Sequence, residues 1–321
     1  NPALQAIATD LLIANNLAIV DVIHSHTWYA NMAGHTASLL YGTPHIVSAH
    51  SLEPLRPWKA EQLGGGYQIS SWAEKTSYET ATAIIAVSDG MRADVLAAYP
   101  DVDPKKVVTI RNGVDTSKFA PNNNPAVLEE FGITGRYAMF VGRITRQKGL
   151  AHLLRAWKNV PAEYGLVLAA GSPDEETVGN EVAALIAELQ ATRSNVWWIK
   201  EMLPHDKLTA ALTQADLFLC PSIYEPLGIV NLEAMGCETA VLASRVGGIP
   251  EVVDDGVTGR LVDYTTDNSK FESNIATGIN EMMGDPERLK RFGIAGRTRA
   301  INEFGWEAVA AATIALYRSV L

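Results

Sequence analysis

The sequence predicts an α/β protein built of two doubly wound domains facing a cleft, and three observations carry that prediction. Short apolar, strand-like runs alternate with amphipathic helical segments along the chain. Such alternation implies parallel sheets covered by helices on both faces. The 321 residues suffice for two domains of ordinary size. A polar, turn-rich stretch from Gly113 to Gly135, containing DTSKFAPNNNPA, interrupts the alternation and reads as a linker.

In chain order, strands are expected at 20–26 (VDVIHSH), 44–50 (PHIVSAH), 83–88 (AIIAVS) and 107–112 (VVTIRN). A second set is expected at 137–143, 164–171, 196–201, 215–222, 239–244 and 259–263, with amphipathic segments such as LAHLLRAWKNV and EVAALIAELQAT between them. The domains are therefore 1–112, a linker at 113–135, and 136–303. The segment 304–321, FGWEAVAAATIALYRSVL, is a final helix with an aromatic anchor, free to cross back to the first domain. Only four strands are readable before the linker, and the chain opens on a helix. The first domain is thus expected to be incomplete at its N-terminus and to lack a glycine-rich turn.

Composition narrows the function classes. Hydrophobic residues at 47% and charged residues at 19% are a globular balance rather than a disordered one. A net charge of -10 argues against nucleic acid or an anionic membrane as partner. No apolar run spans a bilayer, and no basic–apolar–small order marks a secretory signal. Cys220 and Cys237 sit in apolar contexts and build no disulfide framework, which suits a reducing cytoplasm. A homodimer is left open.

An acidic protein that handles a phosphorylated ligand must concentrate its cations locally. FVGRITRQKGL does so: a strand ends at Gly142, and Arg143 and Lys148 follow in the loop before a helix. Ligands of doubly wound sheets sit at such strand ends. Arg143 offers a planar fork and Lys148 a compact point charge for a diphosphate. The second stretch is PSIYEPLGIVNLEAM. Pro226, Leu227 and Gly228 are expected to open a helix whose free amides, with that of Ile229, favour an anion. Glu225 precedes the helix and can reach polyol groups, while Glu233, about two turns inside, can accept from ribose hydroxyls. Taken singly, each of these residues also fits an ordinary solvated surface position.

The combination GRITRQKG with SIYEPLGIVNLEAM resembles the retaining nucleotide-sugar glycosyltransferases of family 4, of the actinobacterial glycogen synthase and maltose-1-phosphate synthase type. Further matches are HSHTWYANMAGH, SAHSLEPLRPWKAEQLGGGY, IAVSDGM, RNGVD and VGGIPEVV, so the resemblance spans essentially the whole chain. It implies the GT-B architecture of two Rossmann-like domains. It also implies transfer of glucose from ADP-glucose, without any further cofactor, to an α-1,4-glucan or to glucose-1-phosphate. Under it, Gly142, Arg143 and Lys148 bind the donor diphosphate, with Leu227, Gly228 and Ile229 at the helix start. Glu225 contacts the donor sugar, Glu233 the ribose, and Met202 and Leu203 the base. His50 lies near the reacting sugar. Trp28, Tyr29, Arg56, Lys59 and Tyr67 are acceptor-side candidates, and Gly247 and Gly248 shape the sugar pocket. Thr27 departs from the pattern, standing where related glycogen synthases often carry aspartate.

For the mechanism, the retaining-glycosidase analogy would make Glu225 a nucleophile. The resemblance places it against sugar hydroxyls instead, which favours same-face transfer with His50, Arg143, Lys148 and Glu225 as the catalytic set. Domain closure across 113–135 is expected to exclude water.

Several stretches imitate other chemistry. His24 and His26 share a strand face, but without further ligands they do not make a metal site, and none is expected. Gly64–Gly66 lacks the ending of a phosphate loop and reads as a flexible acceptor loop. Asp101-Val102-Asp103 reads as a turn. The remaining alternatives are a UDP-sugar transferase with another acceptor and a nucleotide-sugar-binding protein without catalysis. A dehydrogenase is disfavoured because no GxGxxG follows a strand.

Overall fold

The computed structural model describes residues 1–321, the side chain of Gln62 excepted. The chain divides into two compact units, Asn1–Asn112 with Glu307–Leu321, and Gly113–Trp306.

In the first unit the order is α1 (Pro2–Asn16), β1 (Ile23–His26), α2 (Trp28–Tyr41), β2 (His45–Ala49), α3 (Lys59–Leu63), α4 (Gly66–Thr80), β3 (Ala83–Ala86), α5 (Asp89–Ala98) and β4 (Val107–Thr109). The strands pair in parallel in the simple order β1-β2-β3-β4. Every residue of β2 and β3 is buried, as the unbroken apolar runs require of a sheet covered on both faces.

The second unit holds α6 (Ala126–Phe131), β5 (Tyr137–Val141), α7 (Leu150–Trp157), β6 (Gly165–Ala169), α8 (Glu176–Gln190), β7 (Val196–Ile199), α9 (His205–Gln214) and β8 (Leu217–Cys220). It continues with α10 (Ile229–Gly236), β9 (Ala240–Ser244), α11 (Ile249–Val252), β10 (Gly259–Val262), α12 (Asn268–Met283) and α13 (Pro286–Glu303). Its parallel sheet runs β10-β9-β8-β5-β6-β7. The strand order therefore reverses between β5 and β8, and ligands of open parallel sheets bind outside the carboxyl ends at such a reversal. The core lies on the α7/α8/α12 face, where Leu153, Trp157, Leu166, Phe271 and Ile279 are fully or almost fully buried.

Two expectations are corrected. The stretch 113–135 is part of the second unit rather than a free linker. Its polar surface hides three apolar anchors, Val114, Val127 and Ile133, all buried, and the Asn122 amide donates to the Asp206 carbonyl on α9 at 3.0 Å. Gly64–Gly66 is a tight helix-to-helix turn rather than a flexible loop: α3 stops at Gly64, whose φ is 53°, and α4 starts at Gly66, packed against Ala3.

The last helix, α14 (Trp306–Val320), packs on the first unit's sheet through Val309, Leu316, Tyr317 and Val320 against Ile46, Ala83, Ile85 and Ile110. Asp103 caps a short 3-10 turn at Pro104–Lys106, accepting from the Lys105 amide at 2.9 Å. Both cysteines are buried and unpaired. No described helix is long and apolar enough to cross a membrane.

Candidate functional site

At the strand-order reversal, the loops after β5 and β8 meet. Gly149 stands at φ 65°, and a Cβ there would lie 2.0 Å from the Pro221 carbonyl oxygen. Only glycine permits that approach. The Ile223 amide then donates to the Gln147 carbonyl at 2.9 Å, stitching the two loops. As a result Lys148 Nζ lies 2.7 Å from Glu225 Oε2, although the two are 77 positions apart. Thr145 caps the short turn carrying Lys148. On its other side the Glu225 carbonyl accepts from the Gly248 amide at 3.0 Å, and a Cβ on Gly247 would lie 2.0 Å from the same oxygen. The expected glycine pair thus clamps the main chain of Glu225.

The electrostatics follow from burial. Lys148 is largely buried, which by itself would lower its pKa. The charge of Glu225, with smaller help from Cys220, outweighs that and leaves it raised, so Lys148 stays an ammonium at neutral pH. Glu233 is pushed up to about 7 by burial, against the opposing charges of His205 and Lys148.

Helix α10 begins later than the sequence suggests. Gly228 is its N-cap at φ 96°, outside helical space, so Ile229 rather than Pro226 is its first residue. Glu233 therefore lies about one turn inside. No side chain caps α10, which leaves its leading amides for an anion. Leu227 and Gly228 are buried, and Ile229 is partly exposed.

Beside these loops lies a cavity of about 470 Å³ lined by Gly142, Arg143, Lys200, Met202 and Leu203 among others. Its volume suits a nucleotide-sized ligand. Met202 is 95% exposed while Leu203 is buried, so the bend offers one apolar side chain and its backbone. Arg143 does not join Lys148. Its exposed guanidinium donates to both Asp174 oxygens, at 2.8 and 2.9 Å. Asp174 lies in GSPDEE after β6, a carboxylate at a strand end that the sequence reading passed over, as it did Lys200.

In the first unit, three imidazoles gather at the ends of β1 and β2. His26 Nδ1 is 2.9 Å from His50 Nε2, and the rings of His24 and His26 are 4.3 Å apart. Burial first, and the neighbouring His26 second, lower His50 to about 4; burial likewise lowers His24, to about 4, and His26. Among the described residues no group of three or more His, Cys, Asp or Glu has metal-binding geometry.

The SLEPLRP segment is held from beneath. The Glu53 amide donates to Glu74 at 2.8 Å, Tyr99 donates to the same carboxylate, and Ser70 donates to Glu53 at 2.7 Å. Tyr67 donates to the Glu53 carbonyl at 2.9 Å, and Arg56 pairs with the Glu53 carboxylate. Burial pushes Glu74 up to about 7, against its bonds from Tyr99 and the Glu53 amide. The sequence flagged SLEP as a family marker, but nothing in it gave Glu53 or Glu74 this task. Lys59 opens α3 on the same segment, and Trp28 and Tyr29 form an edge-on pair at the start of α2 with Tyr29 58% exposed.

Comparison with known proteins adds an independent line. Residues 129–299 match the family described as glycosyl transferases group 1, and residues 5–118 match glycosyltransferase family 4. The chain is 52% identical to α-maltose-1-phosphate synthase of Mycolicibacterium smegmatis over 326 aligned positions, covering 100% of this chain and 84% of that protein. It is 31% identical to D-inositol 3-phosphate glycosyltransferase of Segniliparus rotundus, covering 94% of this chain and 66% of that one. Among solved structures, sucrose-phosphate synthase of Thermosynechococcus elongatus superposes with a TM-score of 0.79 at 25% identity, covering 94% of this chain and 73% of the other.

Proposed function

The chain belongs to the retaining group 1 and family 4 glycosyltransferases of GT-B fold, and on that premise we propose that it moves glucose from ADP-glucose to glucose-1-phosphate, giving α-maltose-1-phosphate. One observation carries the donor half. A half-buried ammonium, Lys148, is held by Glu225 beside the uncapped start of α10 and a nucleotide-sized cavity. The acceptor half is supported by the relatives, whose names each contain a phosphorylated sugar or polyol.

In this reading Lys148, Arg143 and the leading amides of α10 take up the negative charge of the departing diphosphate, each worth about 10²–10³ in rate. Arg143 exchanges Asp174 for phosphate oxygens, a swap its exposure permits. Glu233 accepts from ribose hydroxyls, and Met202 and Leu203 line the base. Glu225 is committed to Lys148 and, at 3.4 Å, to Ser222. An ion-paired carboxylate is a poor nucleophile, which favours direct same-face transfer in which the leaving diphosphate oxygen accepts the proton of the incoming hydroxyl. His50 supplies a neutral hydrogen-bonding ring to the reacting sugar. Arg56, set by Glu53, meets the acceptor phosphate with Lys59, and Trp28, Tyr29 and Tyr67 flank it. Buried free thiols suit a reducing cytoplasm.

The test is nucleotide release from ADP-glucose and from UDP-glucose, each against glucose-1-phosphate, glycogen and water. Release fastest with ADP-glucose and glucose-1-phosphate is expected. Release with glycogen alone would make the chain a glucan-extending enzyme, and donor binding without release under any pairing would make it a binding protein.

A further inference from the structure

The histidines at the end of β1 and β2 form a chain that reaches α14. Tyr317 Oη lies 2.6 Å from His24 Nδ1, and His24 Nε2 lies 2.8 Å from Ser48 Oγ. His24 stacks, tilted, on His26, and His26 Nδ1 meets His50 Nε2 at 2.9 Å. The parallel register sets this up by pairing His26 with Ser48, so that His50, two residues on, falls beside His26. Among the described residues, none of the three rings hydrogen-bonds a carboxylate. A neutral imidazole has one donor and one acceptor nitrogen. The His26–His50 bond therefore needs one ring to give its N–H and the other to accept. Whichever ring keeps the proton, the other His50 nitrogen, Nδ1, is left in a defined state.

Thr27 adds a second, independent observation. This β-branched residue, directly after His26, has a φ of 67°. Such a conformation is strained for a non-glycine residue and concentrates at functional positions. It turns the chain sharply into α2, and its hydroxyl donates back to the His26 carbonyl. The main chain of His26 is thus fixed on one side while His24, gripped by Tyr317 and Ser48, backs its ring on the other.

We infer that His26 is a positioning residue for His50: its hydrogen bond fixes which nitrogen of His50 faces the reacting sugar, and Tyr317 and Ser48 hold the ring that backs His26. This rests on the role of His50 proposed above. The ring nitrogen that a histidine presents is set by the bond its other nitrogen makes.

The experiment compares His50→Ala, His26→Phe, His26→Asn and Tyr317→Phe in the full chain. It reads kcat and KM for both substrates, together with long-range ¹H–¹⁵N spectra of the imidazoles. His26→Phe keeps a ring but no hydrogen bond, and should lower kcat about tenfold, the rate equivalent of one hydrogen bond, with both KM values within about twofold. His26→Asn places an amide where Nδ1 stood and should recover most of that loss. Tyr317→Phe should lower kcat about twofold to threefold, a fraction of one hydrogen bond. The wild-type spectrum should show His50 as one tautomer, and His26→Phe a mixture. Normal kcat and an unchanged His50 tautomer in His26→Phe, with His50→Ala impaired, would overturn the positioning role alone. Full activity in His50→Ala would instead overturn the reading of His50, and this inference with it. If His26→Phe fails to fold, two His50 tautomers in the wild-type spectrum suffice to reject the inference.

Discussion

At the carboxyl ends of β5 and β8, charge meets charge: Lys148 on Glu225 at 2.7 Å, and Arg143 on Asp174 at 2.8 Å. At the carboxyl ends of β1 and β2, three imidazoles bond to one another and to hydroxyls, all with pKa values pushed below the ordinary range. The sheets differ in the same sense. One reverses its strand order and brings two distant loops together; the other runs β1-β2-β3-β4 and lines up groups from neighbouring strands. The lesson is that like folds can prepare unlike chemistry. In the function proposed above, the charged pairs of the second unit receive a diphosphate, while the first unit stores hydrogen-bond direction.

The largest effects are expected at the charged end. Lys148→Ala and Arg143→Ala should each lower kcat about 10²–10³ with any acceptor. Lys148→Arg should not restore it, because a half-buried point charge and a planar fork are not interchangeable. A loss under about tenfold in steady-state assays would mean that the diphosphate is stabilised elsewhere.

The next effect tests the loop approach that builds the charged pair. Gly149→Ala forces a left-handed conformation on alanine, costing about 1–2 kcal/mol before its clash with the Pro221 carbonyl. The melting temperature should fall by at least about 4 °C in calorimetry, and donor affinity with it. An unchanged melting temperature would show that the loops move apart freely.

A smaller, pH-dependent effect separates Glu233 from the histidines. Its folded pKa, about 7, lies above its ordinary value of 4.5. Its contribution to stability is therefore fully present below pH 4.5 and lost as pH rises through 7. Glu233→Gln should raise the melting temperature at pH 8 and leave it little changed at pH 5, while weakening donor binding. Equal shifts at both pH values would contradict the raised pKa.

The smallest effect is a near-cancellation. His24, His45 and His50 are lowered from 6.5 to about 4, and His26 and His35 are lowered too, so they withdraw stability as pH falls below 6.5. Glu74 and Glu233, at about 7, Asp10, raised to about 6, and Asp94, also raised, add stability over nearly the same range. Wild-type melting temperature should be close to flat from pH 6.5 to 5, and Glu74→Gln should make it fall with acid. A steep wild-type slope would show that one set dominates.

All ten strands stand within the apolar runs read for them, each trimmed at one end or at both. Gly113–Gly135 was misread because polarity is a surface property, and three buried anchors among polar neighbours leave no periodic trace. The start of α10 was misplaced because Pro-Leu-Gly is compatible with a first helical turn until the φ of Gly228 decides otherwise.

Local sequence was enough for the two α/β units, the family, and the residue types proposed to meet phosphate and sugar, since burial pattern, turn chemistry and motif are local. Tertiary structure alone decided which of those residues meet. Lys148 reaches Glu225 because β8 lies beside β5; His26 reaches His50 through a parallel register; Tyr317 reaches His24 because the last helix packs on the first sheet. Each meeting joins positions far apart in the chain, and no local propensity encodes the order in which strands assemble.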